Sequence, residues 1–560
     1  MKELIQALKQ SPVVYVTRDI ERALGLPLDT EGYFIISNAT DFAMCVQKDH
    51  PDSVLLIDEK EQLDTWELLQ HPKVIEFLRN VSSPSKGEGR DEVNVLVFKP
   101  TKQIEELCKK MSWHLLNPQS TLANKAEEKI SQIEWLGDLK KYLPDYQVKL
   151  CKNIDWNGER FVLQFNRSHT GSGTTLVENE TILNEIKQTF PNREARIAPY
   201  IEGPLFTNNN VVTAQGDVLI GNISYQITGL EPFTDRPFAT IGNDWGVVKK
   251  MLTPEQITYY KQIAQDVGKK FFDEGWRGLF GIDVVLDEKT GRLYLLEINA
   301  RQAASTTYES QLQNAGRGTR DEGREITTFE AHLASLLNLN LNKYSLILID
   351  DGAQIIQRVT KDIPTLSVNK GMEMDFSYIL YNNTKPNSDL LRIQTPYTII
   401  RKHNELNRNG RTLIDFVIAI KDGKTWNMPR GGIIFIKNSK ILLLERHKFG
   451  KNFFALPGGT QEEGENIKDT AIREGVEETG LEFSLQDIEP IHIDNNGRDE
   501  YYFFSKDISG TPQLGEEESG RNTPQNSYKL VWVNLDELDE INLIPEEIKR
   551  KILQGNNGTI

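Results

Sequence analysis

The amino-acid sequence predicts a multidomain protein of mixed α/β and α+β class. Its 560 residues exceed the size of about 250–300 residues at which a single hydrophobic core stops growing. Over residues 1–116, short apolar runs alternate with amphipathic segments, which favours a small parallel sheet flanked by helices. Longer runs joined by hairpin-type turns follow, and they favour a partly antiparallel α+β body.

Composition limits the classes of function. The chain has 65 Lys and Arg against 81 Asp and Glu, a net charge of −16, so it lacks the basic character of a general nucleic-acid or anionic-membrane binder. Three cysteines at wide spacing exclude a disulfide framework and fit a reducing compartment. No apolar run is long enough to span a membrane. We expect a cytoplasmic protein that binds neither membranes nor nucleic acid, and a homodimer is left open.

The pattern divides the chain into four parts. Residues 1–116 contain the parallel sheet, with strands at Val13–Val16, Tyr33–Ile36, Val54–Ile57 and Val93–Phe98. Residues 117–340 form the α+β body, and 428–560 show a second sharp strand–helix pattern. Between them, 341–427 contains short β-like runs such as Leu346–Ile349 and Phe416–Ile420. We expect a β-rich connector there; it could be a lid, a dimer contact or an extension of either neighbour.

Three glutamates near the C-terminus point to a metal site. Glu474, Glu477 and Glu478 are spaced i, i+3, i+4, so on a helix their carboxylates share one face. Like charges on one face repel, and a hard divalent cation such as Mg²⁺ removes the repulsion. Arg473 follows Glu465 by eight residues and could fix the preceding loop to the helix. Gly458 and Gly459 lie just upstream, where the backbone can approach a ligand closely.

This segment resembles the Nudix box, which also contains Gly480 and Leu481 at the matching positions. The resemblance implies an α/β/α sandwich over 428–560 and hydrolysis of a nucleoside diphosphate linked to another group. It implies Mg²⁺ or Mn²⁺ held by Gly459, Glu474, Glu477 and Glu478, with Arg473 and the three glutamates as catalytic residues. Glu517 or Glu518 is a candidate extra ligand or base, although a solvated loop is the simpler interpretation. Gly475 departs from the pattern, which has an apolar residue there, and we expect weaker helix packing at a cost of about 1 kcal/mol.

A second group of oxygen ligands is predicted in the middle of the chain. Two β-runs joined by the turn at Thr290-Gly291 place Asp283 opposite the segment that contains Glu297 and Asn299. Glu297 and Asn299 are two residues apart, so on a strand both point to the same face. Two carboxylates and an amide oxygen form a hard-oxygen site for Mg²⁺. Arg301 continues on that face and could stabilise an anionic transition state.

This hairpin resembles the metal-binding hairpin of the ATP-grasp family. The resemblance covers roughly residues 1–340 and implies a small α/β domain followed by a two-lobed body that binds ATP and Mg²⁺. Metal ligands would be Asp283, Glu297 and Asn299, with Arg301 catalytic. The implied nucleotide-binding residues are Lys125, Gln164, His169, Gly171, Ser172, Gly173, Thr174, Tyr200, Ile201 and Glu202.

Two departures from the family pattern concern this nucleotide site. Gln164 stands where the family has its second nucleotide-binding lysine, and Pro199 replaces the acidic residue before the hinge tyrosine. Glutamine can hydrogen-bond to a phosphate but carries no charge, so ATP affinity or catalysis could be reduced. Lys149, Lys152 and Arg167 are nearby candidates to supply the missing charge.

Three hypotheses for the function follow from the two resemblances. The first is a bifunctional enzyme: an ATP-dependent ligase that joins a small-molecule carboxylate to an amine or thiol through an acyl phosphate, fused to the hydrolase. The second is a hydrolase whose ATP-grasp body only binds a nucleotide. The third is a ligase whose Nudix module senses a ligand. The intact carboxylates of both sites favour the first, while Arg317, Arg320 and Arg324 are weak candidates for binding an acidic substrate.

Overall fold

The computed structural model describes residues 2–81, 93–166, 174–316, 324–366, 376–381, 383–421, 429–448, 451–461, 465–495, 498–515, 519, 522 and 526–555. The chain folds into two compact units. The first comprises residues 1–366 and 375–414, and the second comprises 367–374 and 415–560. In the described part of the chain, no helix has the length and apolar character needed to cross a membrane.

A parallel sheet forms the N-terminal part of the first unit. Its strands are β1 Val13–Val16, β2 Tyr33–Asn38, β3 Val54–Ile57, β4 Asn94–Val97 and β5 His114–Leu115. The helices around it are α1 Lys2–Gln10, α2 Asp41–Asp49, α3 Thr65–Gln70, α4 Pro72–Val81 and α5 Lys102–Met111. The strands lie in the order β3-β2-β1-β4-β5, and every neighbouring pair is parallel. The predicted parallel α/β arrangement is confirmed, and β5 is an addition to it.

The two faces of this sheet belong to different hydrophobic cores. Val14 and Val16 pack with helices α3, α4 and α5, whereas Val13 and Tyr15 pack with a core shared with the rest of the unit. In that shared core the Tyr15 ring lies 6.3 Å from the ring of Phe329, more than 300 residues away in sequence. The N-terminal sheet is therefore packed firmly against the body of the first unit.

A four-stranded antiparallel sheet follows. Its helices are α6 Ser120–Glu127, α7 Ser131–Leu136 and α8 Glu180–Thr189, and its strands are β6 Gln147–Leu150, β7 Phe161–Phe165, β8 Thr174–Val177 and β9 Glu194–Pro199. The strand order is β6-β9-β7-β8. One face is apolar and buries Leu163, Phe165 and Ala195 in a local core. Alternate residues, including Gln164 and Arg196, lie on the opposite face.

The largest sheet of the first unit has nine antiparallel strands. In chain order, the remaining strands of this unit are β10 Leu205–Val212, β11 Val218–Leu219, β12 Ser224–Thr228, β13 Thr240–Asp244, β14 Gly278–Leu286, β15 Leu293–Asn299, β16 Glu325–Ile326, β17 Ser345–Leu346, β18 Ala353–Arg358, β19 Ser377–Leu380, β20 Asp389–Thr395, β21 Ile400–Lys402 and β22 Glu405–Leu406. The accompanying helices are α9 Val248–Met251, α10 Pro254–Asp273, α11 Thr306–Gly316 and α12 Thr328–Leu336. The sheet order is β15-β14-β10-β12-β13-β18-β20-β19, and β11 pairs with β10. Strands β16 and β17 pair with each other, as do β21 and β22.

The segment 341–427 contributes strands to this large sheet. Strand β18 pairs with β13, and β20 and β19 extend the sheet beyond it. The predicted strand at Phe416–Ile420 is wrong, because these residues lie in helix α13, Arg408–Lys421. Leu413, Phe416, Val417 and Ile420 recur at helical spacing and are buried, while Ile418 is exposed. A five-residue apolar run cannot by itself distinguish a strand from a buried helix face. The division into four parts stays a prediction.

The second unit places two helices on opposite faces of its β-structure. Its strands are β23 Arg430–Ile434, β24 Ile436–Lys437, β25 Lys440–Lys448, β26 Lys451–Ala455, β27 Gly458–Thr460, β28 Glu482–Leu485, β29 Ile491–Asn495, β30 Arg498–Ser509, β31 Asn526–Asn534 and β32 Leu543–Ile544. Its helices are α14 Ile467–Thr479 and α15 Glu546–Gly555. Consecutive β23 residues alternate between them: Ile433 packs in the core that contains Ala471 of α14, and Ile434 in the core that contains Ile548 of α15. The predicted α/β/α sandwich is confirmed.

At Gly475, α14 lies close against the side chains of the β-structure. A Cβ added there would lie 2.7 Å from the Phe483 ring and 2.9 Å from Ile433 Cγ1. The expectation of weakened packing at Gly475 is therefore wrong, because the ring of Phe483 occupies the volume that an apolar side chain would fill.

We expect Gly475→Val to destabilise the second unit by about 1–3 kcal/mol, because the added methyl groups overpack this contact. Native-state hydrogen exchange of peptides from α14 and β23 in the full chain measures the loss. Shortening the opposing ring with Phe483→Leu should recover part of the stability in the double variant. Equal protection in Gly475→Val and the wild type would contradict the steric account.

Candidate functional site

The β14–β15 hairpin carries the first group of predicted site residues. Asp283 lies directly opposite Glu297, and Asn299 lies two residues further along β15, opposite Gly281. The three polar side chains therefore share one face of the hairpin. Asn299 Nδ2 donates a 3.3 Å hydrogen bond to Asp283 Oδ2. The structure brings together the three residues that the sequence places in a magnesium site.

Burial and neighbouring charges set the ionisation of the two carboxylates. Burial, together with the nearby Glu297 carboxylate, raises the pKa of Asp283 to about 6. Burial also acts to raise the pKa of Glu297, but Lys129, Arg301 and Lys99 together outweigh it and hold that pKa below its usual value. Lys129 Nζ lies 2.7 Å from Glu297 Oε2. Glu297 is thus the more acidic member of the pair, and Lys129 is a candidate site residue that the sequence did not reveal.

A second group of charges connects Arg301 to the N-terminal sheet. Arg301 and Lys99, which follows β4, both form ion pairs with Glu127 at the end of α6. Burial acts to lower the pKa of Arg301, yet the carboxylates of Glu127 and Glu297 raise it above its usual value. Arg301 therefore stays a cation beside the hairpin, as the sequence predicts.

The donor set of the hairpin fits a divalent cation. Asp283 Oδ1 is buried and has no hydrogen-bond partner at normal distance among the described residues. A buried carboxylate oxygen without a partner is costly, and an added cation would remove that cost. No group of three or more His, Cys, Asp or Glu side chains is arranged for a metal ion within the described ranges. A cation here would rely on two carboxylates, an amide oxygen and oxygens from its substrate.

The predicted nucleotide-binding residues surround this hairpin only in part. Lys125 lies on α6, where its Nζ is 3.6 Å from Glu274 Oε2. Gln164 Nε2 donates a 3.3 Å hydrogen bond to Thr174 Oγ1, at the start of β8. His169, Gly171, Ser172 and Gly173 lie outside the described residues, as do Arg167, Arg317 and Arg320.

The predicted hinge is attached to the β14–β15 hairpin. Tyr200, Ile201 and Glu202 follow β9, and the Glu202 carbonyl accepts a 3.2 Å hydrogen bond from the Glu288 amide in the β14–β15 turn. Gly203 has φ +150°, and a Cβ there would lie 1.9 Å from the Leu286 carbonyl oxygen. The glycine thus permits the close approach of hinge and hairpin. The Arg160 guanidinium lies 5.0 Å from the centre of the Tyr200 ring.

Asn166 holds the end of β7 against the segment that contains Lys129. Its Oδ1 accepts hydrogen bonds from the amides of Ile130 and Ser131, at 2.8 and 3.1 Å. Its Nδ2 donates a 2.8 Å hydrogen bond to Glu128 Oε2. The sequence offered one hint of this cluster, the charged run Glu127-Glu128-Lys129 directly after α6, but nothing that links it to β7.

A cavity of about 230 Å³ lies in the first unit between the N-terminal sheet and β19–β20. Two arginines, Arg22 and Arg392, and one glutamate, Glu21, line it. Arg392 is buried, hydrogen-bonds to Tyr381 at 3.1 Å and forms an ion pair with Asp389 at 3.5 Å. Arg22 Nη1 is buried with no hydrogen-bond partner among the described residues. This unpartnered guanidinium nitrogen is suited to an anion.

The cavity adjoins the chain that leaves the metal-binding hairpin. Gln302, directly after Arg301, donates a 2.7 Å hydrogen bond from Nε2 to the Arg22 carbonyl oxygen. Thr307 Oγ1 donates a second bond of 3.0 Å to the same oxygen. The segment that begins at Arg301 thus positions Arg22 in the cavity wall.

In the second unit, α14 presents the three predicted glutamates. The helix begins after Asn466, whose side chain accepts hydrogen bonds from two backbone amides, and ends at Gly480 in the left-handed conformation. Glu474 is fully buried, and Glu477 is exposed. Glu478 Oε2 accepts a 2.8 Å hydrogen bond from the Gly458 amide, next to Gly459 in β27. The glycine pair is therefore held against the helix, as the motif requires.

Arg473 connects most of these acidic groups. Its Nε and Nη2 donate bidentate hydrogen bonds of 2.9 Å to the Glu465 carboxylate. Its Nη1 donates to Glu474 Oε1 at 2.8 Å and to Glu477 Oε2 at 3.2 Å. One guanidinium thus contacts three carboxylates, and the negative charge that remains suits a divalent cation. The predicted pairing of Arg473 with Glu465 is present.

Two further residues near α14 were not predicted. Burial acts to lower the pKa of Arg430, but Tyr502, Glu500 and Glu478 together raise it above its usual value. Glu500 is buried on β30, opposite Arg430 in register. Glu517 and Glu518, the acidic-loop candidates, lie outside the described residues.

Comparison with known proteins shows which domain family the second unit matches. Residues 427–554 match the family model of the NUDIX domain, so the chain carries a NUDIX domain there. The chain is 26% identical over 137 residues to nucleoside diphosphate-linked moiety X motif 6 from Xenopus laevis, covering 23% of this chain and 59% of that protein. It is 29% identical over 109 residues to the Mus musculus protein of the same name, covering 19% and 34%. The match thus spans about a third to three fifths of these curated relatives.

A solved structure shows the fold of the larger part of the chain. The biotin carboxylase domain of 2-oxoglutarate carboxylase from Hydrogenobacter thermophilus, in complex with MgADP, ADP and bicarbonate, superposes with a TM-score of 0.50 at 14% identity, covering 74% of this chain and 96% of that one. The carboxyaminoimidazole ribonucleotide synthase from Aspergillus clavatus, in complex with ATP, has a TM-score of 0.48 at 15% identity, covering 74% and 99%. The ATP-grasp fold predicted for the N-terminal part is confirmed.

We expect Arg473→Met to lower the free energy of unfolding of the second unit by about 3 kcal/mol, because it leaves the buried Glu474 carboxylate without its cation. Differential scanning calorimetry of the full chain measures the change in the transition of this unit. Lys468→Met, which removes an exposed charge from the first turn of the same helix, should shift that transition little. Similar shifts for both variants would show that the contact with Glu474 is not what stabilises the unit.

Proposed function

We propose that the chain is a bifunctional enzyme. Its first unit is an ATP-dependent ligase that joins a carboxylate to an amine or thiol, and its NUDIX domain hydrolyses a nucleoside diphosphate linked to another group. The observation that carries the ligase is the placement of Asp283 opposite Glu297 on the β14–β15 hairpin, with Asn299 hydrogen-bonded to Asp283. The hydrolase is supported by the carboxylate face of α14 and by the nucleoside diphosphate-linked names of the matching relatives.

In the ligase reaction, a carboxylate oxygen of the substrate attacks the γ-phosphorus of ATP. The bond from that phosphorus to the β–γ bridging oxygen breaks, so ADP leaves and an acyl phosphate forms. The amine or thiol then attacks the acyl carbon, and phosphate leaves with the bonding electrons. When bound by Asp283, Glu297 and Asn299, Mg²⁺ or Mn²⁺ neutralises charge on the triphosphate.

The protein's own side chains supply positioning and charge. Lys125 and Thr174 contact the nucleotide, and Tyr200, Ile201 and Glu202 line its base. Arg301, held as a cation by Glu127, orients the substrate carboxylate and stabilises the charge that develops on it. Lys129 keeps Glu297 ionised and therefore competent as a ligand. These are roles of orientation and electrostatics, which phosphoryl transfer mainly requires.

The cavity lined by Arg22 and Arg392 is the site we assign to the carboxylate substrate. Arg22 and Arg392 provide two guanidinium groups on its wall, and Arg22 Nη1 has no hydrogen-bond partner within the described chain. A planar guanidinium binds a carboxylate with two parallel hydrogen bonds. Because Gln302 fixes Arg22, a carboxylate bound there would lie close to the residues that follow the metal-binding strand.

In the hydrolase reaction, water attacks one phosphorus of the diphosphate and the bridging P–O bond breaks, giving two phosphorylated products. Gly459, Glu474, Glu477 and Glu478 would hold a divalent cation, which would supply positive charge to polarise the diphosphate. Glu477, the exposed member of the three, accepts the proton of the attacking water, while Arg473 holds the carboxylates in place.

Phosphorus NMR of the full chain with Mg²⁺ and ATP tests both reactions. Pools of small carboxylates are added with pools of amines or thiols. ADP and phosphate that appear only with a particular pool identify the ligase, whereas mononucleotide products from dinucleotides or nucleotide sugars identify the hydrolase. Nucleotide binding without ADP formation in any pool would favour the alternative in which the first unit only binds a nucleotide.

We expect the two activities to be lost separately. Glu297→Gln should abolish ADP formation and leave diphosphate hydrolysis unchanged, because it removes the charged ligand of the hairpin only. Glu477→Gln should do the reverse. Initial rates from phosphorus NMR measure both activities in each variant.

Matched variants control for the loss of a negative charge. Glu288→Gln, in the turn of the same hairpin, and Glu482→Gln, just after α14, both change exposed glutamates. Both should keep both activities. If either active-site variant stops both reactions in a folded protein, the sites are coupled and the modular assignment is wrong.

We expect Arg22→Met to raise the KM for the carboxylate by about 10- to 100-fold, because a charged hydrogen-bond partner is worth about 1.5–3 kcal/mol. The Kd for ATP, measured by calorimetry, should stay unchanged. Arg18→Met, which alters a more exposed arginine of the same segment, should affect neither quantity. An equal increase in the KM of carboxylate and ATP would argue against a separate carboxylate site.

A further inference from the structure

The face of the four-stranded sheet that carries Gln164 also carries a buried arginine. Arg196 lies at the centre of β9, directly opposite Gln164 on β7 and opposite Val148 on β6. Directly opposed residues of antiparallel strands point to the same face. The other face of β7 and β9 holds the apolar core of Leu163 and Ala195. Arg196 and Gln164 therefore project together, away from that core.

Arg196 is buried without the partners that a buried guanidinium normally has. It is 1% exposed, and its Nε and Nη1 make no hydrogen bond within the described part of the chain. The nearest ring is that of Tyr146, whose centre lies 5.8 Å from the guanidinium carbon. Burial of a charge with unsatisfied donors is strongly unfavourable unless an anion compensates for it. The side chain is therefore arranged for a negatively charged ligand rather than for stability.

The surroundings of Arg196 connect it to the metal-binding hairpin. Burial lowers its pKa to about 10, while the nearby Tyr146 and Glu297 oppose that change, so it remains a cation at neutral pH. Glu297 itself pairs with Lys129. Asn166, two residues after Gln164, holds the end of β7 to the segment just after Lys129. Arg196 and Lys129 thus both lie near Glu297, the carboxylate at which the proposed function places the cation that binds the triphosphate.

We propose that Arg196 binds the phosphates of the nucleotide and supplies, from the neighbouring strand, the positive charge that Gln164 lacks. This inference rests on the proposed nucleotide-binding function of the first unit. The sequence-based candidates are less suited: Lys152 Nζ donates to Asn192 at 3.0 Å, and Lys149 is exposed and one residue out of register with Arg196. Gln164 is then an uncharged neighbour of Arg196, and the guanidinium of Arg196 supplies the charge that a lysine at position 164 would supply.

Titration calorimetry of the full chain with Mg·ATP and with adenosine tests the proposal. Arg196→Met should raise the Kd of Mg·ATP by about 10- to 100-fold, the value of one or two charged hydrogen bonds, and leave adenosine binding unchanged. Adding Gln164→Lys to that variant should restore ATP affinity to within about threefold, because it returns the cation to the other strand. Lys149→Met, on the adjacent strand β6, should leave both constants unchanged.

The melting temperature of the protein without ligand distinguishes a phosphate-binding role of Arg196 from a structural one. Because the charge of Arg196 is uncompensated in the wild type, the Arg196→Met variant should melt at the same temperature as the wild type or at a higher one. A lower Tm combined with unaltered ATP affinity would show that Arg196 is structural and would overturn the proposal. If Arg196→Met does not fold, Arg196→Gln with and without Gln164→Lys gives the same comparison.

The outcomes also separate this proposal from the function on which it rests. Wild-type protein that binds no Mg·ATP at millimolar concentration removes both the nucleotide site and the role of Arg196. Wild-type binding that persists within about twofold in Arg196→Met leaves the nucleotide site standing and removes only the inference about Arg196.

Discussion

The first unit depends on one electrostatic constraint, the placement of two carboxylates opposite each other on a buried hairpin. Antiparallel pairing fixes Asp283 beside Glu297, and neither can move away without breaking the register of β14 and β15. Such a pair is unfavourable by itself, so the surrounding structure must supply positive charge. Lys129 comes from the segment after α6, Arg301 from the end of β15, and Arg196 from β9. The site therefore exists only when both sheets of the body are folded.

In the NUDIX domain, carboxylates are also held close together, but on one helix instead of on a pair of strands. Spacing of i, i+3, i+4 puts three carboxylates on one face of α14, and one arginine in the same helix contacts two of them and also Glu465. The compensation is local in sequence, within about three helical turns. In the first unit, by contrast, the cations that surround Glu297 come from segments up to about 170 residues away. This difference explains why the pairing of Arg473 with Glu465 could be predicted from the sequence, whereas the pairing of Lys129 with Glu297 could not.

The features that could be predicted from the sequence are those that the local hydrophobic periodicity encodes. The parallel N-terminal sheet, the β14–β15 hairpin and the NUDIX strands follow from runs of two-residue alternation or buried strand length. The prediction of a strand at Phe416–Ile420 is wrong because a short apolar run is compatible with either a strand or a helix. The burial of Leu413 and Phe416 on one helical face shows that this run belongs to a helix. Lys129 and Arg196 were missed for a different reason. Each lies near Glu297 only because the chain brings distant segments together, and its sequence neighbours do not indicate that contact.

Two departures from the family patterns show how a requirement can be met from a neighbouring position. The NUDIX helix needs apolar volume beside Ile433, and the ring of Phe483 fills it so completely that only glycine fits at 475. On the proposed function, the nucleotide site needs a cation beside β7, and Arg196 stands in register with the uncharged Gln164. A sequence motif specifies a residue type at a position, whereas folding and binding require volume or charge at a point in space. Since opposite residues of paired strands reach the same point, a change at a motif position need not remove what the motif provides.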